Sequence, residues 1–154
     1  MKTKTILVSL AAFFVGLAVC LAADPNMGTW KLNEAKSKLG SETTKNNTVV
    51  YEAAGENMKI TVDGIASDGK PVHHEWTGKY DGKDYPVTGD ANQDTRSYKK
   101  TGDRTLEFGA KKGGKVTLTG RVVVAADGKS RTVTTTTTDS SGKQVKSTAV
   151  YDKQ

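Results

Sequence analysis

Along most of the chain, apolar and polar residues alternate in short runs punctuated by turn-forming dipeptides. Met58, Ile60 and Val62 fall in one phase of such a run. Leu106, Phe108 and Ala110 do the same in another, and Val116, Leu118, Gly120, Val122 and Val124 in a third, mostly with polar residues between them. A period of two sends successive side chains to opposite faces of an extended strand, so each run predicts a strand with one apolar face. The punctuation agrees. Asp68-Gly69-Lys70, Asp81-Gly82-Lys83 and Asp127-Gly128-Lys129 each place Asp-Gly where a tight hairpin needs a positive φ. Gly55-Glu56-Asn57, Thr101-Gly102-Asp103, Gly113-Gly114 and Ser141-Gly142 add turns at similar spacing.

These signals predict strands near residues 28–33, 48–54, 57–63, 71–80, 84–88, 94–100, 104–111, 115–125, 130–138 and 143–151. Only 33–40 reads as helical, with Asn33 as N-cap and Gly40 as stop, and it allows a turn or two. Consecutive hairpins leave two raw sheet edges unless the sheet closes, and closure removes them. The expected fold is therefore all-β: an antiparallel up-and-down β-barrel, a meander of about eight to ten strands with one short N-terminal helical turn.

The first two dozen residues follow a different pattern. Lys2 and Lys4 precede an apolar run from Ile6 to Leu21 that ends in Ala22-Ala23, the charged, apolar and small-residue sequence of a signal peptide. Residues 1–23 are read as that leader and 24–154 as a single barrel domain, with a periplasmic or extracellular destination. No comparable apolar run follows, so no transmembrane anchor is expected in the mature chain. Leu17-Ala18-Val19-Cys20 resembles a lipobox, and lipid anchoring through Cys20 is the alternative.

Removing the leader changes the chemistry available. Cys20 is the only cysteine, so the mature chain has no disulfide, thiol nucleophile or thiolate ligand. Loss of Lys2 and Lys4 takes the formal charge from +6 to +4, with basic residues interspersed among acidic ones. A nucleic-acid surface gathers its basic residues on one face, so no nucleic acid is expected as partner, and the chain is expected to be a monomer. Gly-x-Ser-x-Gly, His-Glu-x-x-His and phosphate-loop patterns are missing from the sequence. We expect no catalytic residues, no cofactor and no metal. His73 and His74 are adjacent and point to opposite strand faces, so they cannot readily grip one ion. The run Thr134 to Thr138 suits a strand with small polar residues on both faces, and no second such run stands beside it in sequence.

Both termini of the mature chain carry a resemblance. Gly28-Thr29-Trp30 resembles the Gly-x-Trp signature of lipocalins, and Gly28 to Leu32 looks like the opening of fatty-acid-binding proteins. Thr148-Ala149-Val150-Tyr151 is similar to the last strand of the latter group. The resemblance implies a barrel that holds a small molecule inside. It departs from that pattern at Ala149, where fatty-acid-binding proteins often place the arginine of an Arg-x-Tyr carboxylate clamp. Lys83-Asp84-Tyr85 imitates the lipocalin Thr-Asp-Tyr turn loosely. Arg121 or Arg131 could serve as the late arginine that lipocalins pack over the tryptophan.

Val72, His74, Trp76, Gly78 and Tyr80 share one face of a predicted strand, which places an imidazole among aromatics. A lining of that kind suits a cavity in which apolar walls give affinity and a few polar groups fix orientation; a filled barrel with a satisfied histidine is the equal alternative. The expected function is non-catalytic binding of a small hydrophobic or amphipathic ligand, in a cavity lined by some of Trp30, His74, Trp76, Tyr80, Phe108 and Tyr151. A structural or protein-interaction module of the bacterial envelope, with no ligand cavity, is the second expectation.

Overall fold

The computed structural model describes residues 24–40, 43–138 and 141–154; the leader and Cys20 lie outside the described residues. Among these, ten strands form one closed antiparallel barrel: β1 (Gly28–Leu32), β2 (Lys45–Ala54), β3 (Asn57–Ile65), β4 (Pro71–Gly78), β5 (Tyr85–Thr88), β6 (Thr95–Gly102), β7 (Thr105–Lys112), β8 (Lys115–Val124), β9 (Ser130–Thr138) and β10 (Gln144–Lys153). Each strand pairs with its sequence neighbours, and β1 closes the ring on β10 with Trp30 opposite Lys153 and Leu32 opposite Tyr151. Closure leaves no free edge to pair with another chain.

Two of the Asp-Gly-Lys turns are hairpins of the expected kind. In each, the aspartate accepts a hydrogen bond from the amide two residues on, Lys70 to Asp68 at 3.1 Å and Lys129 to Asp127 at 3.0 Å. Gly69 and Gly128 then take φ of 83° and 68°, the region that a Cβ would oppose. The third differs. Asp81-Gly82 lies between β4 and the four-residue β5 but is tied to β6: Asp81 bridges to Lys99, and the Gly82 amide donates to the Tyr98 carbonyl at 2.8 Å. A wide connection replaces the tight hairpin expected there. β5 meets β4 only through Glu75 opposite Thr88 and Trp76 opposite Val87, and meets β6 only through Tyr85 opposite Arg96 and Pro86 opposite Thr95.

The helical reading of 33–40 shrinks to a single 3-10 turn, Glu34–Lys36, with Asn33 Oδ1 accepting from the Lys36 amide at 3.2 Å. The reason lies in β10, which has ten residues against the five of β1. Residues after β1 complete that edge. The Asn33 amide donates to the Val150 carbonyl at 2.8 Å, the Val150 amide to Ser37 Oγ at 2.9 Å, and Lys38 pairs with Thr148 through both amides. A longer helix would leave those β10 groups unpaired.

Alternation sorts the strands into an inward apolar face and an outward polar one. Trp30, Val49, Tyr51, Ile60, Val62, Trp76, Tyr98, Leu106, Val122, Val124 and Tyr151 form one buried cluster. No membrane-spanning helix of sufficient length and apolarity occurs among the described residues.

Candidate binding site in the barrel interior

Two indoles mark different depths of the interior, and each has its polar atom satisfied by backbone. Trp30 Nε1 donates to the Asn26 carbonyl at 2.7 Å, and Trp76 Nε1 to the Arg96 carbonyl at 2.8 Å. Burying an indole N–H without an acceptor costs the desolvation of that group, so both rings are seated as structural members. Around Trp76, Tyr98 and Tyr85 pack edge-on with ring centroids 4.7 and 5.8 Å away, and Phe108 stacks on Tyr98 at 5.5 Å. Gly78 makes room for this arrangement: a Cβ there would lie 2.6 Å from both Trp76 and Tyr85 ring carbons.

Arg131, on β9, sits at the Trp30 end and is 2% exposed. Its guanidinium carbon lies 4.7 Å from the ring centres of Trp30 and Tyr51 and 4.9 Å from that of Tyr151. Of the two arginines that could pack over Trp30, Arg131 is the one that does; Arg121 faces outward and is exposed. Ring faces stabilise the charge from above and below, but guanidinium N–H groups point along its plane. Among the described residues, Nε and Nη1 of Arg131 have no hydrogen-bond partner.

A second buried arginine, Arg96 on β6, is 8% exposed. Its Nε donates to Gln93 Oε1 at 2.9 Å and its Nη1 to the Tyr98 hydroxyl at 3.3 Å. Gln93 in turn donates to the Asp90 carboxylate, which lies 3.9 Å from His74 Nδ1. A polar chain therefore enters the barrel from Asp90 through Gln93 and Arg96 to Tyr98. His74 is buried beside it, with Nε2 unpartnered among the described residues. Burial foremost, and then the positive charge of Arg96, push the imidazole down to about 4, with Asp90 opposing. His74 is accordingly neutral at pH 7.

Between the two arginines is a cavity of about 70 Å³. Its polar lining is Asn46, Tyr51, Arg96, Tyr98, Arg131, Thr135 and Tyr151, and its apolar lining includes Val62, Phe108, Val122 and Val133. Burial raises the Tyr51 phenol and pushes the Tyr151 phenol up to about 12, in both cases against the pull of Arg131, so both remain hydrogen-bond donors at neutral pH.

The six lining residues expected from sequence all lie on the inward side, but only Phe108 and Tyr151 border this cavity. Trp30 and Trp76 are packed within the core, His74 lies beside the polar chain at Asp90, and Tyr80 packs against Tyr98 at 6.1 Å with its hydroxyl buried and unpartnered. Tyr51, Arg96 and Tyr98 are additions. On β6 the only apolar residue that could set a phase is Tyr98, and Arg96 shares its face; a charged residue in phase with an inward aromatic was the available signal.

His73 points outward, as strand geometry requires, with Nδ1 2.6 Å from Asp63. Among the described residues no three His, Cys, Asp or Glu side chains gather as metal ligands.

The outer wall carries an open groove of about 720 Å³ across β6 to β10, bordered by Lys99, Glu107, Arg121, Thr134, Thr136 and Lys146, among others. Strand register gives the threonine run neighbours that sequence alone does not: Thr119 is opposite Thr136, and Thr134 is opposite Thr148. Threonine thus occupies the outer face of three adjacent strands.

No protein-family model and no curated protein matches the chain. Among solved structures it is similar to three complexes with DFHBI. The redesigned β-barrel mFAP1 is 17% identical, with 86% of this chain and 98% of that chain covered and a TM-score of 0.46. EF1p2_mFAP2b is 12% identical, with 86% and 97% covered and a TM-score of 0.48. The redesigned β-barrel mFAP0 is 16% identical, with 84% and 99% covered and a TM-score of 0.42.

Proposed function

We propose that this protein is an exported, monomeric, non-catalytic barrel that receives a small molecule, or the polar end of a small amphipathic one, in its interior. The supporting observation is the cavity lined by Arg131, whose buried Nε and Nη1 have no partner among the described residues. Native interiors satisfy such groups with protein or ordered water, and a space of about 70 Å³ holds roughly two waters or one compact polar group. Binding pockets for drug-sized molecules span about 300–1,000 Å³, so a longer ligand tail requires core side chains to shift. Export rests on the Lys2, Lys4 and Ile6 to Leu21 pattern.

Native mass spectrometry of protein purified from its own compartment tests this reading. We expect a bound small molecule that is released on denaturation; protein that is consistently bare would count against it. A second reading, an interaction module of the envelope, is favoured by the outer groove, whose volume of about 720 Å³ far exceeds that of the cavity.

A further inference from the structure

We infer that the groove on the outer wall binds an acidic glycan, an extended chain of sugars that bear carboxylates. This leaves the interior cavity aside and rests on the outer wall being an interaction surface, for which it names the partner's chemistry.

Strand register orders the outward side chains of β6 to β10 into two rows. One runs Lys99, Glu107, Arg121, Thr134, Thr148, and the next Ser97, Gly109, Thr119, Thr136, Lys146. Between the rows the wall dips at Gly120, where a Cβ would run into the Phe108 ring and the Thr134 carbonyl. Glycine in a strand permits such a close approach. The resulting trough, of about 720 Å³, crosses the strands.

Its charge is one-sided. Lys99, Arg121 and Lys146 line it with Glu107 as the one carboxylate. Elsewhere on the wall Lys59 and Lys111 each hold a carboxylate at 2.6 Å; among the described residues the three groove cations hold none. Neighbouring strands lie about 4.8 Å apart, so the backbones at Lys99 and Arg121, two strands apart in one row, are separated by about 10 Å. A single compact anion cannot meet all three cations, whereas a chain with spaced charges can.

The remaining lining separates a glycan from other polyanions. Ser97, Thr119, Thr134, Thr136 and Thr148 supply hydroxyls that both donate and accept, as sugar hydroxyls do. Phe108 is the one apolar side chain on the lining, and it stacks on Tyr98 at 5.5 Å. A lipid therefore meets no apolar wall, and a single-stranded nucleic acid no aromatic platform for its bases. An extended acidic peptide gains affinity by adding to a sheet edge, and the closed ring offers none.

Nuclear magnetic resonance titrations at pH 7 with hexagalacturonate, neutral maltohexaose and hexaglutamate test the inference. We expect hexagalacturonate to bind most tightly of the three and to shift the amides of Thr119, Thr134, Thr136 and Lys146, with the Arg131 Nε–H unmoved. Arg121→Gln combined with Lys146→Gln, both at exposed positions, should weaken it about tenfold or more. Thr134→Val combined with Thr136→Val keeps the charges and the β-branch; it should weaken hexagalacturonate about fivefold and leave hexaglutamate unchanged. Maltohexaose binding as tightly as hexagalacturonate overturns the acidic partner. Hexaglutamate binding as tightly, with no response to the threonine changes, overturns the glycan while leaving the wall a charged interaction surface. No shift in the groove with any probe overturns both.

Discussion

His74 shows how one buried side chain couples this barrel to pH. An unfolded chain protonates it near 6.5, whereas burial and Arg96 hold the folded imidazole down to about 4. Between those values the unfolded chain binds a proton that the folded chain does not, so stability is full above 6.5 and falls as pH drops toward 4. The loss reaches roughly 3 kcal/mol at its lower end. Thermal unfolding followed from pH 7 to 4 should show this decline, and His74→Gln should flatten it; an unchanged slope in the variant would assign the decline to other groups. Gly78 is a second residue on which packing depends, since its missing side chain lets the Trp76 and Tyr85 rings meet at 86°. Gly78→Ala puts a Cβ 2.6 Å from each ring and should cost about 1–3 kcal/mol in denaturant unfolding.

At the scale of elements, the barrel has one weak seam. β5 joins β4 and β6 by two register pairs on each side, whereas β9 and β10 share nine. Pro86 further removes an amide from the short strand. Amide hydrogen exchange should therefore be fastest among the strands at Tyr85–Thr88 and slowest in β9 and β10; uniform protection around the ring would contradict this. The strands themselves were legible in sequence, because alternation such as Met58-Ile60-Val62 and turns such as Asp127-Gly128 are local signals. What depended on distant partners was less legible. The expected short helical turn forms with Asn33 as its cap, and β10 limits it to Glu34–Lys36; Asp81-Gly82 has hairpin chemistry, but β6 holds it in a wide connection.

For the whole molecule, inward and outward faces were readable and their chemistry only partly so. The inward phase of β4 was clear from Trp76, and His74 followed from it. On β9 and β6 a single residue carries the phase, Val133 for Arg131 and Tyr98 for Arg96, and the burial of Arg131 becomes evident only when Trp30, Tyr51 and Tyr151 are brought around it. Closure of the ring brings these two arginines, 35 positions apart in sequence, to one cavity, and that convergence is the basis for the interior binding proposed here. Nuclear magnetic resonance of the protein titrated with sodium octanoate tests it most directly. The account predicts shifts at the Arg131 Nε–H, the Arg96 Nε–H and the Thr135 amide, with Thr119, Thr136 and Lys146 on the outer wall unmoved. Shifts confined to that outer wall, or none anywhere, would contradict it.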